Sequence, residues 1–389
     1  MNSEEIIHRQ SLTLRLDYPV IFTHGILLPD NPTLCRTVQR LEPEKRHTVA
    51  AVLDGNLAQC HPDLQESIRR YAQTHSPHFD LREPIRIVQG GEACKNAEDE
   101  VGRMHRWMLD IKLDRHSTLL VFGGGAVLDM AGHAAATFHR GLRLIRLPTT
   151  VLAQNDAGVG VKNGINRFGV KNLIGSFAAP FAVISDFDFL STLEVRDRRA
   201  GLAEAVKVAL IRDGDFFRWM QNECAALAGF GRPQTEIMIR RCAELHLDHI
   251  ANGGDPFESG SSRPLDFGHW AAHKLESMTC HSLRHGEAVA IGMALDSWYA
   301  CAVGLLSHEY AAQIDRLLQS LGFALWHPIL DTPEGKADLL AGLDEFREHL
   351  GGEFTLTMPT GIGSSTEIHH IDRTTLLGAL NTLQKRSTS

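Results

Sequence analysis

Four histidines stand within the twenty-two residues GHWAAHKLESMTCHSLRHGEAV, 268–289. His269 and His273 are four apart, as are His281 and His285, so on a helix each pair shares a face. Two imidazoles from one helix are the core of many zinc sites. A zinc peptidase would carry H-E-x-x-H, but Trp270 holds the place of its glutamate, so that chemistry falls away. A catalytic zinc takes three protein ligands, often with a carboxylate among them, and keeps one position open. Glu204 is the candidate third ligand, because AGLAEAVKVAL is otherwise small and apolar. A carboxylate there, with Lys207 three residues on, needs a reason. A solvated salt bridge is the competing explanation, and any one of the 21 histidines taken alone is better read as ordinary. The cluster carries the signal.

A second chemical feature is the glycine turn in VFGGGAVLDMAG, 121–132. Glycines between a strand and a helix let backbone N–H groups approach a pyrophosphate at the positive end of the helix dipole. The spacing is not G-x-G-x-x-G, so the standard dinucleotide fingerprint is absent. Asp54 in LDGN follows an earlier apolar run, where a ribose-binding carboxylate serves. Both features also admit plain turn readings, with Asp54 and Asn56 simply closing a bend.

These residues need elements to position them. HTVAAVLD (47–54), PIRIVQG (84–90), STLLVFGGG (117–125), LRLIRLP (142–148) and PFAVISD (180–186) have the apolar character of buried strands. Between them, AEDEVGRMHRWMLDIKL (97–113) sets Val101, Met104, Met108 and Ile111 on one helical stripe. The alternation predicts an α/β fold with a parallel sheet covered on both faces. After residue 190, RDRRAGLAEAVKVALI (196–211), DFFRWMQNECAALAGF (215–230) and QTEIMIRRCAELHLDHIA (234–251) have helical periodicity, and only EFTLTMP (353–359) resembles a strand. Two domains are expected: an α/β nucleotide-binding domain over 1–188 and a mainly helical metal- and substrate-binding domain over 189–389. The active site is expected in the cleft between them.

With 43% hydrophobic and 22% charged residues, the composition is that of a soluble globular protein. A net charge of -8 offers no basic footprint for nucleic acid, though a local basic pocket for a phosphorylated small molecule stays open. The seven cysteines show no C-x-x-C pair, which suggests reduced thiols in a cytoplasm. MNSEEIIHRQ does not read as a signal peptide, and no apolar run reaches membrane-spanning length.

Taken together, the motifs resemble the sugar phosphate cyclases, the superfamily of 3-dehydroquinate synthase. The likeness runs from about 50 to 360 through LDGN (54–56 region), GEACK (91–95), GGGAVLD (123–129), FHRG (138–141) and PTTVLAQNDAGVGVK (148–162). It continues through GVKNLIG (169–175), GLAEAVK (201–207), GHWAAHKLE (268–276) and LRHGEAVAIGM (283–293). The resemblance implies a dehydroquinate synthase-like fold with a Rossmann-like NAD-binding domain. It also implies zinc, or cobalt, on Glu204, His269 and His285. NAD would meet Asp54, Asn56, Glu92, Lys95, Gly123, Gly124, Gly125, Asp129, Thr149 and Thr150, with Lys171, Thr192 and Asp197 completing the set. Asp156, Lys162, Asn172 and Lys207 would meet the substrate, and His273 would sit near its phosphate or its transferred proton. Arg140 would reach the phosphate from a neighbouring subunit of a homodimer. The implied chemistry is transient oxidation of a ring alcohol by NAD, loss of phosphate, return of the hydride, ring opening and intramolecular aldol closure, with the metal as Lewis acid and template.

Dehydroquinate synthases carry E-x-G-x-R-x-x-L-N-x-G-H before the first histidine ligand. Here ESGSSRPLDFGH (258–269) puts Ser262 at the arginine position, Arg263 one step later and Asp266 in place of asparagine. Asp248 falls where a lysine is expected, and Arg347 and Glu348 replace a lysine pair in FREHLGGEFTLTM (346–358). The lost groups suit a carboxylate, whereas Asp266 would repel one and accept hydrogen bonds from a polyol. DFGH and EHLGG resemble the 2-epi-5-epi-valiolone synthase branch, whose substrate is sedoheptulose 7-phosphate, with Arg263, Asp266 and His349 as substrate contacts. That branch usually lacks the second histidine of GHxxxH, kept here as His273, and the mixture resembles the Ebo-type cyclases. The function expected is a phosphate-eliminating cyclase acting on a sedoheptulose 7-phosphate-like ketose. The alternatives are 3-dehydroquinate synthase proper, a metal-dependent polyol or alcohol dehydrogenase of the same fold, and a non-catalytic binding protein on that scaffold.

Overall fold

A computed structural model of the chain describes residues 7–13, 15–97, 99–253, 264–349 and 354–387. Its centre is a parallel sheet built from β1 (Val20–Thr23), β2 (His47–Asp54), β3 (Phe79–Leu81), β4 (Arg86–Val88), β5 (Thr118–Gly123), β6 (Arg143–Pro148) and β9 (Ala182–Asp186). The strand order is β1-β9-β6-β5-β2-β3, with β4 pairing β2 beyond β3. A two-stranded antiparallel hairpin, β7 (Lys162–Arg167) and β8 (Val170–Phe177), stands beside it.

β2 shows how alternation builds the layers. Val49, Ala51 and Leu53 pack on one side with α1 (Thr33–Gln39) and α3 (Leu64–Thr74), through Leu34, Val38, Ile68 and Tyr71. Ala50 and Val52 pack on the other side with α5 (Glu100–Asp110) and α6 (Gly125–Thr137), through Met104, Met108, Val127 and Ala131. Both faces are covered, so the central strands are apolar throughout, as a parallel sheet requires. Short helices α2 (Gly55–Cys60) and α4 (Ala93–Asn96) leave the ends of β2 and β4.

The α/β reading of the sequence holds, and all five expected strands are present. β1, β3 and the hairpin were not expected. β1 and β3 are three or four residues long and only partly buried, and most of β8 faces outward, so none has a strong apolar period. The segment 215–230 is not one helix but two, α8 (Gly214–Asn222) and α9 (Cys224–Ala228), parted at Glu223. The strand expected at 353–359 is β10 (Leu356–Gly361), and it pairs antiparallel with an unexpected β11 (Ser364–Ile368).

The later helices are α7 (Val195–Arg212), α10 (Arg232–Asn252), α11 (His269–Met278), α12 (His285–Ala302), α13 (His308–Ser320), α14 (Pro333–His349) and α15 (Arg373–Ser387). Every residue of α7 from Ala200 to Ile211 is buried, so its apolar surface runs all round and neighbours cover every side. Backbones approach closely where side chains are missing. A Cβ on Gly286 would lie 2.3 Å from the Ala200 carbonyl oxygen, and one on Gly292 would lie 2.0 Å from the Gly268 carbonyl oxygen. Glycine there lets α12 lie against α7 and against the turn that begins α11. No helix among the described residues is long and apolar enough to cross a membrane.

Candidate active site

The strands of the sheet end at one edge, the usual ligand crevice of an open α/β sheet. Asp54 closes β2 there: it caps α2 by accepting the Asn56 backbone N–H at 2.8 Å, and it is buried. Burial pushes its carboxyl above the ordinary range, and hydrogen bonds from Asn56, Leu57 and Gly124 oppose this. The glycine turn lies alongside. Gly124 has φ -74°, which any residue adopts, so its glycine is needed for room rather than for conformation. Added Cβ atoms on Gly123, Gly124 and Gly125 would lie 2.9 Å from Val127, 3.3 Å from Thr150 and 3.1 Å from Ala157. The turn thus brings the start of α6 close to Thr150 and to the neighbour of Asp156.

Around α6, Lys95 is buried, bonds Asp129 at 2.8 Å and makes a short contact with Asn172 Oδ1. Glu92 accepts from Asn166 at 2.7 Å. Thr149 is buried, and Thr150 Oγ1 accepts the Ala153 N–H at 3.1 Å. Two further expected cofactor contacts have partners of their own: Thr192 Oγ1 pairs with His61 at 2.8 Å, and Asp197 stands 3.6 Å from Arg284. Lys171 is engaged elsewhere, with its ammonium 3.0 and 3.3 Å from the two Glu276 oxygens.

Glu204, His269 and His285 converge. Their nearest ligand atoms all lie within 4.8 Å of one another. Glu204 Oε1 is 3.7 Å from His269 Nε2 and 3.4 Å from His285 Nε2. Each ring has its other nitrogen occupied: His269 Nδ1 faces the Phe267 carbonyl at 3.1 Å, and His285 Nδ1 faces Glu276 Oε2 at 3.1 Å. Both Nε2 atoms therefore point at the carboxylate, the arrangement that metal-bound histidines adopt. Glu204 is 0% exposed and neither of its oxygens has a well-aligned hydrogen bond, although Lys207 touches Oε2. A buried carboxylate in that state fits a cation.

The protonation pattern follows from these contacts. Burial would raise the Glu204 carboxyl, but Lys207 and His285 outweigh it and hold it at about 2. Burial would lower the Lys207 ammonium, yet Glu204 and Asp156 carry it up to about 12, so it stays charged. Burial and the charges of Lys207 and His285 keep His269 well below the usual histidine value, hence neutral and ready to ligate.

Asp156 joins this cluster from a π-helical turn at Ala153–Ala157. Burial and Glu204 push its carboxyl up, and His246 and Lys207 bring it below the ordinary value. Asp266 lies within electrostatic reach of Lys207. His273 is exposed one turn beyond His269, with ring centroids 5.5 Å apart. Lys162 and Arg140 are exposed, Arg140 in a left-handed turn at φ 66°. Arg263 and Ser262 lie outside the described residues, as does the side chain of His349. Asp248 is exposed and accepts from Asn252 at 2.6 Å.

Four contributors were missed from sequence. His246 Nδ1 lies 3.0 Å from Asp156 Oδ1. Glu276 faces His285 as described. Asp296 accepts from the Gly268 N–H at 3.1 Å and from Trp270 Nε1 at 2.8 Å, bracketing His269. Arg146 is fully buried and donates to the carbonyls of Gly158, Gly160 and Lys162, which ties down the segment between Asp156 and Lys162. Charged residues inside otherwise apolar periods were the available signal.

Residues 85–200 match the 3-dehydroquinate synthase N-terminal family and residues 201–341 its C-terminal family. A 3-dehydroquinate synthase from a Nitratiruptor species is 44% identical over 253 residues, 64% of this chain and 70% of the relative. A 2-epi-5-epi-valiolone synthase from Actinomyces sp. is 31% identical over 95% of this chain and 96% of its own. The solved 2-epi-5-epi-valiolone synthase ValA of Streptomyces hygroscopicus subsp. jinggangensis 5008, with NAD+ and Zn2+ bound, superposes with a TM-score of 0.86 at 26% identity. That superposition covers 97% of this chain and 100% of ValA. The chain belongs to the 3-dehydroquinate synthase-like sugar phosphate cyclases, a family of carbon–oxygen lyase enzymes.

Proposed function

We propose that this chain is an NAD- and divalent-metal-dependent cyclase of a phosphorylated ketose resembling sedoheptulose 7-phosphate. The observation that carries the reading is the convergence of Glu204, His269 and His285 beside Lys207 and Asp156. In this reading 1–188 is the NAD-binding domain and 189–389 the metal- and substrate-binding domain. Glu204, His269 and His285 hold zinc or cobalt, and Asp54, Lys95, Asp129 and the glycine turn hold NAD.

When bound, NAD supplies a hydride acceptor restored within each turnover, and the cation supplies a Lewis acid for the sugar oxygens. The chain's own groups do the rest. Lys207 Nζ, permanently charged, donates to developing oxyanions and is not a base. Asp156 is the ionised carboxylate able to accept a proton from a sugar hydroxyl, with His246 beside it to share the charge. Lys162 supplies a cation for phosphate, and His273 stands at the rim of the metal cluster.

Supplied with sedoheptulose 7-phosphate, NAD and zinc, the purified protein is expected to release phosphate with no net rise in NADH absorbance. A strong chelator should stop phosphate release, and added zinc or cobalt should restore it. Accumulating NADH without phosphate would instead mark a dehydrogenase.

The proposed assembly is a homodimer. The hairpin exposes Phe168, Val170, Leu173, Ile174 and Phe177 and packs against α6, the helix that precedes the turn carrying Arg140. Such an apolar group on one hairpin suits a second copy of the chain. Leu173→Glu is expected to shift the sedimentation coefficient from dimer towards monomer and to raise KM for the phosphorylated sugar. A monomeric wild type would refute this assembly. Seven free cysteines favour a cytoplasmic setting.

A further inference from the structure

We infer that Glu276, clamped by Lys171, is a positioning residue that makes His285 a competent metal ligand; this rests on the metal reading above. An imidazole presents its Nε2 lone pair to a cation only when the proton sits on Nδ1 and the ring is held in place. His285 Nδ1 meets Glu276 Oε2 at 3.1 Å, which fixes both. Glu276 is itself buried, 5% exposed, so its charge needs a partner. That partner is Lys171, whose Nζ spans both carboxylate oxygens at 3.0 and 3.3 Å. The relay thus runs from the hairpin of the sheet half to the ligand on α12.

A second arrangement uses the same atoms. His273, Glu276 and His285 also offer ligand atoms within 4.8 Å of one another, which would make Glu276 a ligand. His273 is exposed, whereas Glu204 is buried without aligned donors, so the Glu204 cluster is the better cation site and Glu276 its support.

The experiment is zinc affinity by chelator competition on the purified full chain, with apo thermal midpoints and NAD affinity measured alongside. Glu276→Gln keeps the side chain's volume and removes its charge. It is expected to weaken zinc binding about 10- to 100-fold while stoichiometry stays at the wild-type value. Lys171→Met, at a partly exposed position, should weaken it less, and the double variant should bind no worse than Glu276→Gln, because both act through one contact. Zinc affinity of Glu276→Gln within about twofold of wild type would overturn the role, since outer-sphere partners normally matter more than that. Complete loss of stoichiometric zinc would overturn it too, by making Glu276 a ligand. A wild type that takes up no zinc would remove the metal reading itself, a result distinct from either.

Discussion

Glu204→Gln is expected to abolish stoichiometric metal binding and to lower turnover at least about a thousandfold, since a Lewis-acid metal contributes several kcal/mol to the barrier. The amide keeps the shape of the side chain but not its charge. In the wild type the two imidazoles face Glu204 Oε1 from 3.4 and 3.7 Å, so without that charge a cation keeps only two neutral nitrogen donors. The substitution also strands Lys207, which is 2% exposed and has Glu204 as its contacting counter-charge. Breaking such a pair costs about 3–5 kcal/mol, so a lower thermal midpoint accompanies the loss. NAD affinity separates the two effects. Asp54 and the glycine turn lie at the end of the sheet, so nucleotide binding should stay within about threefold of wild type wherever the protein remains folded. Elemental analysis and a nucleotide titration check this. Retained metal with retained turnover would place the cation elsewhere.

The pairing of Glu204 with Lys207 explains why the cluster sits on α7. A buried carboxylate alone would take up a proton and cease to be a ligand. Lys207 keeps it ionised in the metal-free protein, and in the proposed reading the same fixed ammonium serves the substrate's oxygens. One helix would then supply an anion for the metal and a cation for the reaction. Its surroundings are apolar, which strengthens both.

How much of this was legible in the sequence differs by kind of contact. The buried strands were readable because stretches such as Leu119–Phe122 are continuously apolar, and α5 because its period is regular. The candidate metal residues were readable because a charge in AGLAEAVKVAL and paired histidines break the local pattern. The hairpin was not, since Val170–Phe177 is stabilised by its cross-strand partner and faces outward, leaving no buried stripe to detect. Contacts across long separations were equally hidden. Nothing local to Lys171 says that it meets Glu276, 105 residues away, or that Asp296 braces the turn before His269. His246 shows the same limit. The substitution visible in sequence was at Asp248, yet that side chain faces solvent while His246, two residues earlier, faces Asp156.

The substrate choice gives the other large expected effect. With the carboxylate-bearing precursor of dehydroquinate, phosphate release is expected at least about a hundredfold slower in kcat/KM than with sedoheptulose 7-phosphate, because a like charge facing the substrate costs several kcal/mol. Asp266 is the described residue on which this rests. It stands three residues before His269 and within electrostatic reach of Lys207, and in the proposed reading it is a substrate contact. A hydroxylated chain can donate to it, whereas a carboxylate can only be repelled. Asp266→Asn keeps an acceptor and removes the charge, so it should narrow the preference by about 10- to 100-fold, mostly through better use of the carboxylate substrate. The 3-dehydroquinate synthase relative favours the opposite outcome, which makes the comparison decisive. Were wild-type protein to cyclise the carboxylate precursor as well as the ketose phosphate that lacks a carboxylate, Asp266 would not be reading the substrate. The chain would then be a dehydroquinate synthase with an unusual entry to its metal helix.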